Sequence, residues 1–197
     1  MGDDAALVAR LRAGDEAAFV SLVQEYHAPL LRLASTFVPF RSAAEDVVQD
    51  TWLGVLRGID RFEGRSSLKT WMFRILVNRA RTTGVKERRV RPIAGAYEAA
   101  VPPERFASSG QWVDPPAPWT DDAEDRILAR QTVARIAALL DDLPPTQRRV
   151  VVLRDFEGLS SADVCALLEI SEANQRVLLH RGRSRIRNML EPELGEA

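Results

Sequence analysis

Apolar positions recur along this chain at three- and four-residue steps, and almost no segment alternates with period two, so the pattern predicts helices nearly throughout. Phe19, Leu22, Val23, Tyr26, Leu30, Leu33 and Phe37 trace one stripe that Asp15 can cap. Pro29 falls inside that stripe and is expected to kink the helix or open one hydrogen bond. Ser42 and Glu45 have the S-x-x-E spacing of a capping box, opening a helix through Val47, Val48, Val55 and Leu56 that ends near Gly58. After the loop FEGRSS, Leu68, Trp71, Met72, Ile75, Leu76 and Arg79 predict another amphipathic helix. These elements make an N-terminal helical domain over residues 3–91.

Residues 92–120 break the pattern, holding six of the chain's eleven prolines with no helical period. A Pro-rich, acidic linker over 92–122 is expected to be extended and stiff. It reads either as an inert spacer or, because it carries Phe106, Trp112 and Trp119, as a strand lying along a partner surface. Helical signals resume at TDDAEDRILARQ and define a second domain over 123–191. There Ile136, Leu139, Leu140 and Leu143 precede a Pro144-Pro145 stop and restart, and Val150–Leu153 form an apolar core ending near Gly158. The fold class is all-α, with two small helical domains joined by the linker.

Charge changes this picture more than composition does. With 46% hydrophobic and 28% charged residues, the chain of 197 residues resembles an ordinary globular protein. No apolar run approaches the length of a membrane span, and the acidic start lacks a signal-peptide core, which places the protein in the cytoplasm. A single cysteine, Cys165, rules out an internal disulfide and a cysteine-based zinc cluster, and His27 and His180 show no ligand spacing. Neither metal nor cofactor is expected. The net charge of −1 conceals strong segregation: residues 57–91 hold 11 basic and 3 acidic side chains, and 172–188 hold five arginines against one glutamate. Residues 1–56 and 92–147 are net acidic, so two separated basic blocks suggest two contacts with a polyanion.

The second block lies in GLSSADVCALLEISEANQRVLLHRGRSRIR. Ser160 can cap a short helix with Asp163 at its third position, facing inward through Val164, Leu167 and Leu168. Glu169-Ile170-Ser171 supplies a tight turn with Ile170 inward, and Ser171 caps a basic helix running to about Met189. A short helix, a tight turn and a longer basic helix form a helix-turn-helix, whose second helix enters the DNA major groove. Arginine's planar fork suits phosphates and guanine edges. Cys165 reads as a small buried thiol facing the second helix.

Taken together, these motifs resemble the ECF (extracytoplasmic function) group of bacterial RNA polymerase sigma factors. AEDVVQDTWLGVLRGIDRFEGRSSLKTWMFRILVNRAR is similar to the group's region 2, and LPPTQRRVVVLRDFEGLSSADVCALLEIS with the basic helix is similar to its region 4. The resemblance implies a non-catalytic protein that joins core polymerase and directs it to promoters by recognising −35 and −10 elements and helping to open the duplex. It implies docking on the β′ clamp helices through Asp46, Gln49 and Asp50, contact with the β flap, and an anti-sigma partner. It also implies −10 element binding by Arg65, Ser66, Ser67, Lys69, Trp71, Arg74, Asn78, Arg79 and Arg81, with Lys86 as a further backbone contact. Reading a base there requires taking it out of the stack. Trp71 has core-like spacing as well, so a packing role stands beside the DNA role. In region 4 the −35 contacts fall on Arg176, Val177, His180 and Arg181, with Arg183 and Arg187 nearer phosphates.

Three positions depart from the group's pattern. Glu169 stands where glycine is frequent in the turn, Gln175 where a buried valine is usual, and Leu178 where a basic residue is common. They leave open whether the apolar stripe is rotated or the helix start shifted. The rival reading is an autonomous helix-turn-helix regulator of duplex operators, which needs neither the acidic docking helix nor the first basic block. Asp114, Asp121 and Asp122 in the linker, with Glu124 and Asp125 just after it, make this stretch acidic, and the resemblance implies a strand that threads a basic channel of polymerase, where it is expected to act as an RNA mimic.

Overall fold

The computed structural model describes residues 2–90 and 139–194. The linker 92–122, with its aromatic and acidic residues, and the helical restart at TDDAEDRILARQ lie outside the described residues. All regular structure among the described residues is helical. Those within Met1–Ala94 and Val152–Gln175 form one compact unit, and those within Gly95–Val151 and Arg176–Ala197 form a second.

In the first unit, α1 (Gly2–Arg12) leads through Gly14, at φ 74°, into α2 (Glu16–Ala34). The apolar pattern does not foretell α1. Polar anchors hold its ends: Arg12 donates to the carbonyls of Ile59 at 3.1 Å and Phe62 at 2.5 Å, and the Asp4 carboxylate accepts from the Leu68 amide at 2.9 Å. Asp15 caps α2 as expected, accepting from the Ala18 amide at 3.1 Å. That amide first, and then Arg10, holds the Asp15 carboxyl below its ordinary range. Pro29 sits within α2, which runs unbroken to Ala34.

The next helix, α3 (Arg41–Gly58), starts one residue before Ser42. Its N-cap is Phe40, which makes no side-chain capping bond, so the Ser42–Glu45 box does not form. Glu45, four residues from Arg41, pairs with that guanidinium instead at 2.9 Å. A 3₁₀ turn, Ile59–Arg61, ends the hairpin, and α4 (Leu68–Val90) follows, with Ser67 accepting from the Thr70 amide at 3.0 Å. Leu22, Leu30, Leu33, Val48, Val55, Leu68, Met72, Phe73 and Leu76 fill the core between these helices. Phe19 meets Trp52 edge-on, with ring centroids 5.8 Å apart. Two glycines permit close approaches to α4. A β-carbon at Gly54 would fall 2.9 Å from Ile75 Cγ2, and one at Gly84 would fall 2.8 Å from the Phe37 carbonyl oxygen.

The same unit takes in a π-helical stretch, Val152–Phe156, and α6 (Ser161–Leu168), together with the start of α7 (Glu172–Leu194). The second unit contains a 3₁₀ turn (Leu140–Asp142), α5 (Pro145–Val151) and the rest of α7. Pro145 opens α5 where a missing N–H costs nothing. Gly182 lets α7 lie against α5, since a β-carbon there would come 2.6 Å from Val151 Cγ2.

Candidate nucleic-acid and polymerase interface

Three surfaces carry the residues singled out by the sequence. On α3, Val47, Val48, Thr51, Trp52 and Val55 turn inward, which leaves Asp46, Gln49 and Asp50 exposed on the opposite side. Leu53 and Leu56 are also exposed, at 45% and 51%. With Asp46, Gln49 and Asp50, Leu53 completes an i, i+3, i+4, i+7 stripe, so the acidic face has an apolar end that the sequence reading missed. Leu56 and Val20 border a groove of about 310 Å³ that Phe19 and Ile59 also line. Only solvent exposure distinguishes these leucines and this valine from core residues, and spacing alone does not report it.

The second surface follows the loop before α4 and the outer side of that helix. Arg65 is exposed and pairs with Glu63 at 2.5 Å, while Ser67 shares a 2.8 Å hydrogen bond with Thr70. Ser66 is half-buried. Arg74 and Asn78 point to solvent, one turn apart. Arg79 is half-buried, 3.6 Å from Asp50, which joins this surface to the acidic stripe. Trp71 packs against Phe62 with ring centroids 5.2 Å apart and is half-buried, so its packing role is evident. The Lys86 side chain lies outside the described residues.

The third surface is the helix-turn-helix. Ser160 caps α6 as expected, accepting from the Asp163 amide at 3.0 Å, and Ser171 accepts from the Asn174 amide at 3.2 Å at the start of α7. Val164 and Leu167 are buried, Leu168, Ile170 and Leu178 are half-buried, and Cys165 is half-buried rather than enclosed. Glu169 ends α6 in the left-handed region, at φ 56° and ψ 46°, the geometry for which glycine is favoured. Gln175 answers the question of register. It is 2% exposed, in the place of a buried valine, and its Oε1 accepts a 3.0 Å hydrogen bond from the Ser161 hydroxyl. The stripe is therefore not rotated; a polar residue occupies the buried position and is satisfied there.

On α7, Arg176, Val177 and Arg181 are exposed and adjacent on the side away from Gln175 and Gly182. Arg183 is exposed, and Arg187 and His180 are half-buried. Burial, and then the nearby Arg183 charge, lowers the His180 pKa, which favours the neutral imidazole.

Lys69 and Arg81 differ from the other basic candidates, because both are engaged by the segment 152–175. Lys69 donates to the Glu157 backbone oxygen at 2.7 Å and lies 3.1 Å from its carboxylate. Arg32 contacts the other oxygen of that carboxylate at 2.7 Å and stacks over Phe156, 5.4 Å from the ring centroid. Lys69 also sits 5.9 Å from the Tyr26 ring and 5.7 Å from the Phe73 ring. Burial, followed by Glu25, pushes the Tyr26 hydroxyl up to about 12. Arg81 reaches Glu169 at 2.5 Å and the Leu167 carbonyl at 3.3 Å. The sequence reading missed Arg32 and Glu157; the one available signal was a carboxylate next to Gly158 at the end of an apolar run.

No group of three or more potential metal ligands occurs among the described residues. None of their helices is long and apolar enough to cross a membrane.

A basic loop, an exposed acidic helix face and, further along the chain, a helix-turn-helix are more than a lone operator-binding domain needs. Residues 22–90 match the family Sigma-70 region 2, and residues 134–186 match Sigma-70, region 4. The ECF RNA polymerase sigma-E factor of Escherichia coli (strain K12) is 31% identical over 189 residues, covering 96% of this chain and 95% of that protein. The RNA polymerase sigma-H factor of Pseudomonas aeruginosa is 31% identical over 194 residues, covering 98% and 97%. Among solved structures, CnrH in complex with the cytosolic domain of CnrY is similar in fold, with a TM-score of 0.57 at 24% identity over 96% of this chain and 97% of that one. The sigma factor RpoE of Bartonella quintana, in complex with the anti-sigma factor NepR, gives 0.55 at 25% identity over 87% and 97%. This chain belongs to the ECF RNA polymerase sigma factors. It directs RNA polymerase to promoters, and it does so by binding, without catalysis.

Proposed function

We propose a division of labour in which residues 3–91 dock on core polymerase and handle the −10 element while residues 123–191 read the −35 element. Segregation of charge carries this reading. An exposed acidic stripe lies on α3, and exposed basic groups lie on α4 and α7. Asp46, Gln49 and Asp50 meet the β′ clamp helices, with Leu53 as an apolar anchor beside them. Opposed charges orient such an encounter, and Leu53, once covered by the partner, slows its dissociation. The β flap is the contact of the C-terminal module.

At the −10 element, Arg65, Ser66, Ser67 and Asn78 contact extruded bases and the strand carrying them. Lys69, Arg74, Arg79 and Arg81 neutralise phosphates. Trp71 supports the loop by holding Phe62 and offers its free edge to a base. At the −35 element, Arg176, Val177, His180 and Arg181 face base edges, and Arg183 and Arg187 face phosphates. His180, whose neutral form is favoured, is assigned a hydrogen bond rather than a charge. The protein works in the cytoplasm and is held in reserve by an anti-sigma factor, as the complexes of its structural relatives suggest.

Promoter-directed run-off transcription with core polymerase tests the whole reading. Transcript is expected only when this protein is added. Tight, sequence-specific duplex binding by the protein alone, with no stimulation of transcription, would instead support an autonomous regulator.

A further inference from the structure

We propose that the segment Val152–Gln175 is an autoinhibitory clasp, in which carboxylates of the protein itself occupy cations that promoter DNA must use. This rests on the reading of Lys69 and Arg81 as −10 contacts.

The central latch is Glu157. Its side chain is 3% exposed, and it holds Arg32 of α2 and Lys69 of α4, across 125 and 88 residues of sequence. A second latch, Glu169 to Arg81, lies about three turns further along α4 from the Lys69 end and is largely open to water. Both latches pair an acid from 152–175 with a basic group on the DNA-facing helix. A closure selected only for stability would gain more from apolar packing, because desolvating a charge offsets much of its attraction to a partner. A pair of ionic latches differs in one respect: its cations can be transferred to another anion. Phosphates of a single strand offer the same charge to Lys69 and Arg81, so strand binding and closure compete for the same side chains.

The closed form therefore lowers the apparent affinity for DNA in proportion to the fraction of molecules that are open. The clasp keeps the free protein from engaging single strands before polymerase is bound. Arg32 makes the arrangement testable, since it holds Glu157 without belonging to the DNA surface.

The experiment uses the full chain and a short, fluorescently labelled, single-stranded DNA of mixed sequence, read by anisotropy at fixed salt. Hydrogen exchange of residues 157–170 is followed in parallel. Glu157→Gln and Arg32→Ala should each raise affinity for the strand by about tenfold, the gain from opening a clasp closed in about nine molecules of ten. Both should speed exchange in 157–170, and added DNA should speed it in the wild type. Retained helical circular dichroism verifies folding, and agreement of the two variants excludes a simple loss of negative charge, because Arg32→Ala removes a positive one. If neither variant changes affinity or exchange, the clasp is refuted.

Lys69→Ala in the Glu157→Gln background separates the two ideas. A loss of affinity there, without any gain from Glu157→Gln itself, would keep the DNA role of Lys69 and overturn autoinhibition. No loss would overturn the DNA role of Lys69, and with it competition at this latch, even if exchange showed that the segment opens.

Discussion

Replacing Gly84 with alanine should destabilise the N-terminal unit, although alanine is the better helix former. At an open site in a helix, the change would contribute about 1 kcal/mol in favour of folding. Gly84 is not at an open site: a β-carbon would lie 2.8 Å from the Phe37 carbonyl oxygen, an atom of the main chain that no rotamer change can move aside. Either α4 or the turn after α2 has to shift by several tenths of an ångström, in a region where Phe37 and Val38 are buried. Overpacking of that kind costs about 1–3 kcal/mol. Against the gain in helix propensity, a net loss of about 1 kcal/mol remains, equivalent to roughly 4 °C in midpoint for a domain of this size. Thermal unfolding followed by circular dichroism measures it. Thr82→Ala serves as the companion variant, because Thr82 is exposed on the same helix and should gain about 0.5 kcal/mol from the same substituent. If Gly84→Ala raised the midpoint as Thr82→Ala does, the close approach of α4 to Phe37 would be wrong.

Charge reversal at Asp46 and Asp50 should weaken pull-down of core polymerase while changing the unfolding free energy by no more than about 0.5 kcal/mol, since both side chains are exposed; equal recovery of polymerase would remove the docking assignment. Arg176→Ala and Arg181→Ala should each weaken −35 duplex binding by about 1–3 kcal/mol, measured by gel shift, whereas Asn78→Ala should instead reduce permanganate-detected opening at the −10 element. The Asp15 carboxyl is held below its ordinary value of 3.8 by the Ala18 amide and Arg10, so in acid the unfolded chain binds the proton more readily. Its contribution to stability is present above the ordinary carboxylate pKa and is lost as pH falls through the lowered folded value. Asp15→Asn, which can still cap, should flatten that part of the acid unfolding profile, and a profile unchanged from wild type would contradict the assignment.

Elements with one wet and one dry face were legible in the sequence, because burial imposes the helical period directly. The α2, α3 and α4 stripes follow from that, as do the Asp15 and Ser160 caps, whose short side chains reach only their own first turn. What escaped notice depends on contacts distant in sequence. α1 has no strong stripe and is tied down by Arg12 and Asp4 reaching elements about 50 and 64 residues away. The Ser42–Glu45 spacing suggested a cap, but the helix began a residue earlier and Arg41 engaged the glutamate. Gln175 looked like a sign of rotation, and only the Ser161 hydroxyl beside it shows how the amide is accommodated. At the site, residue type and order pointed to acidic and basic surfaces, but not to Glu157, whose significance depends on Arg32 and Lys69 lying next to it.

The π-helical stretch at Val152–Phe156 closes with the Glu157 amide bonded to the Val152 carbonyl at 2.9 Å, a step of five residues instead of four. Such a widened turn accommodates one residue more than an α-helical turn would. If the same residues were wound as an ordinary α-helix, everything beyond them would be carried about 100° further around the axis, the rotation per residue of such a helix. The acid at 157 would then leave its place beside Arg32 and Lys69. Loss of a single codon would instead restore ordinary winding with the stretches on either side near their present faces, because the wide turn holds just one residue more. The turn is therefore a buffer on chain length: a relative one residue shorter here keeps its flanking side chains in register.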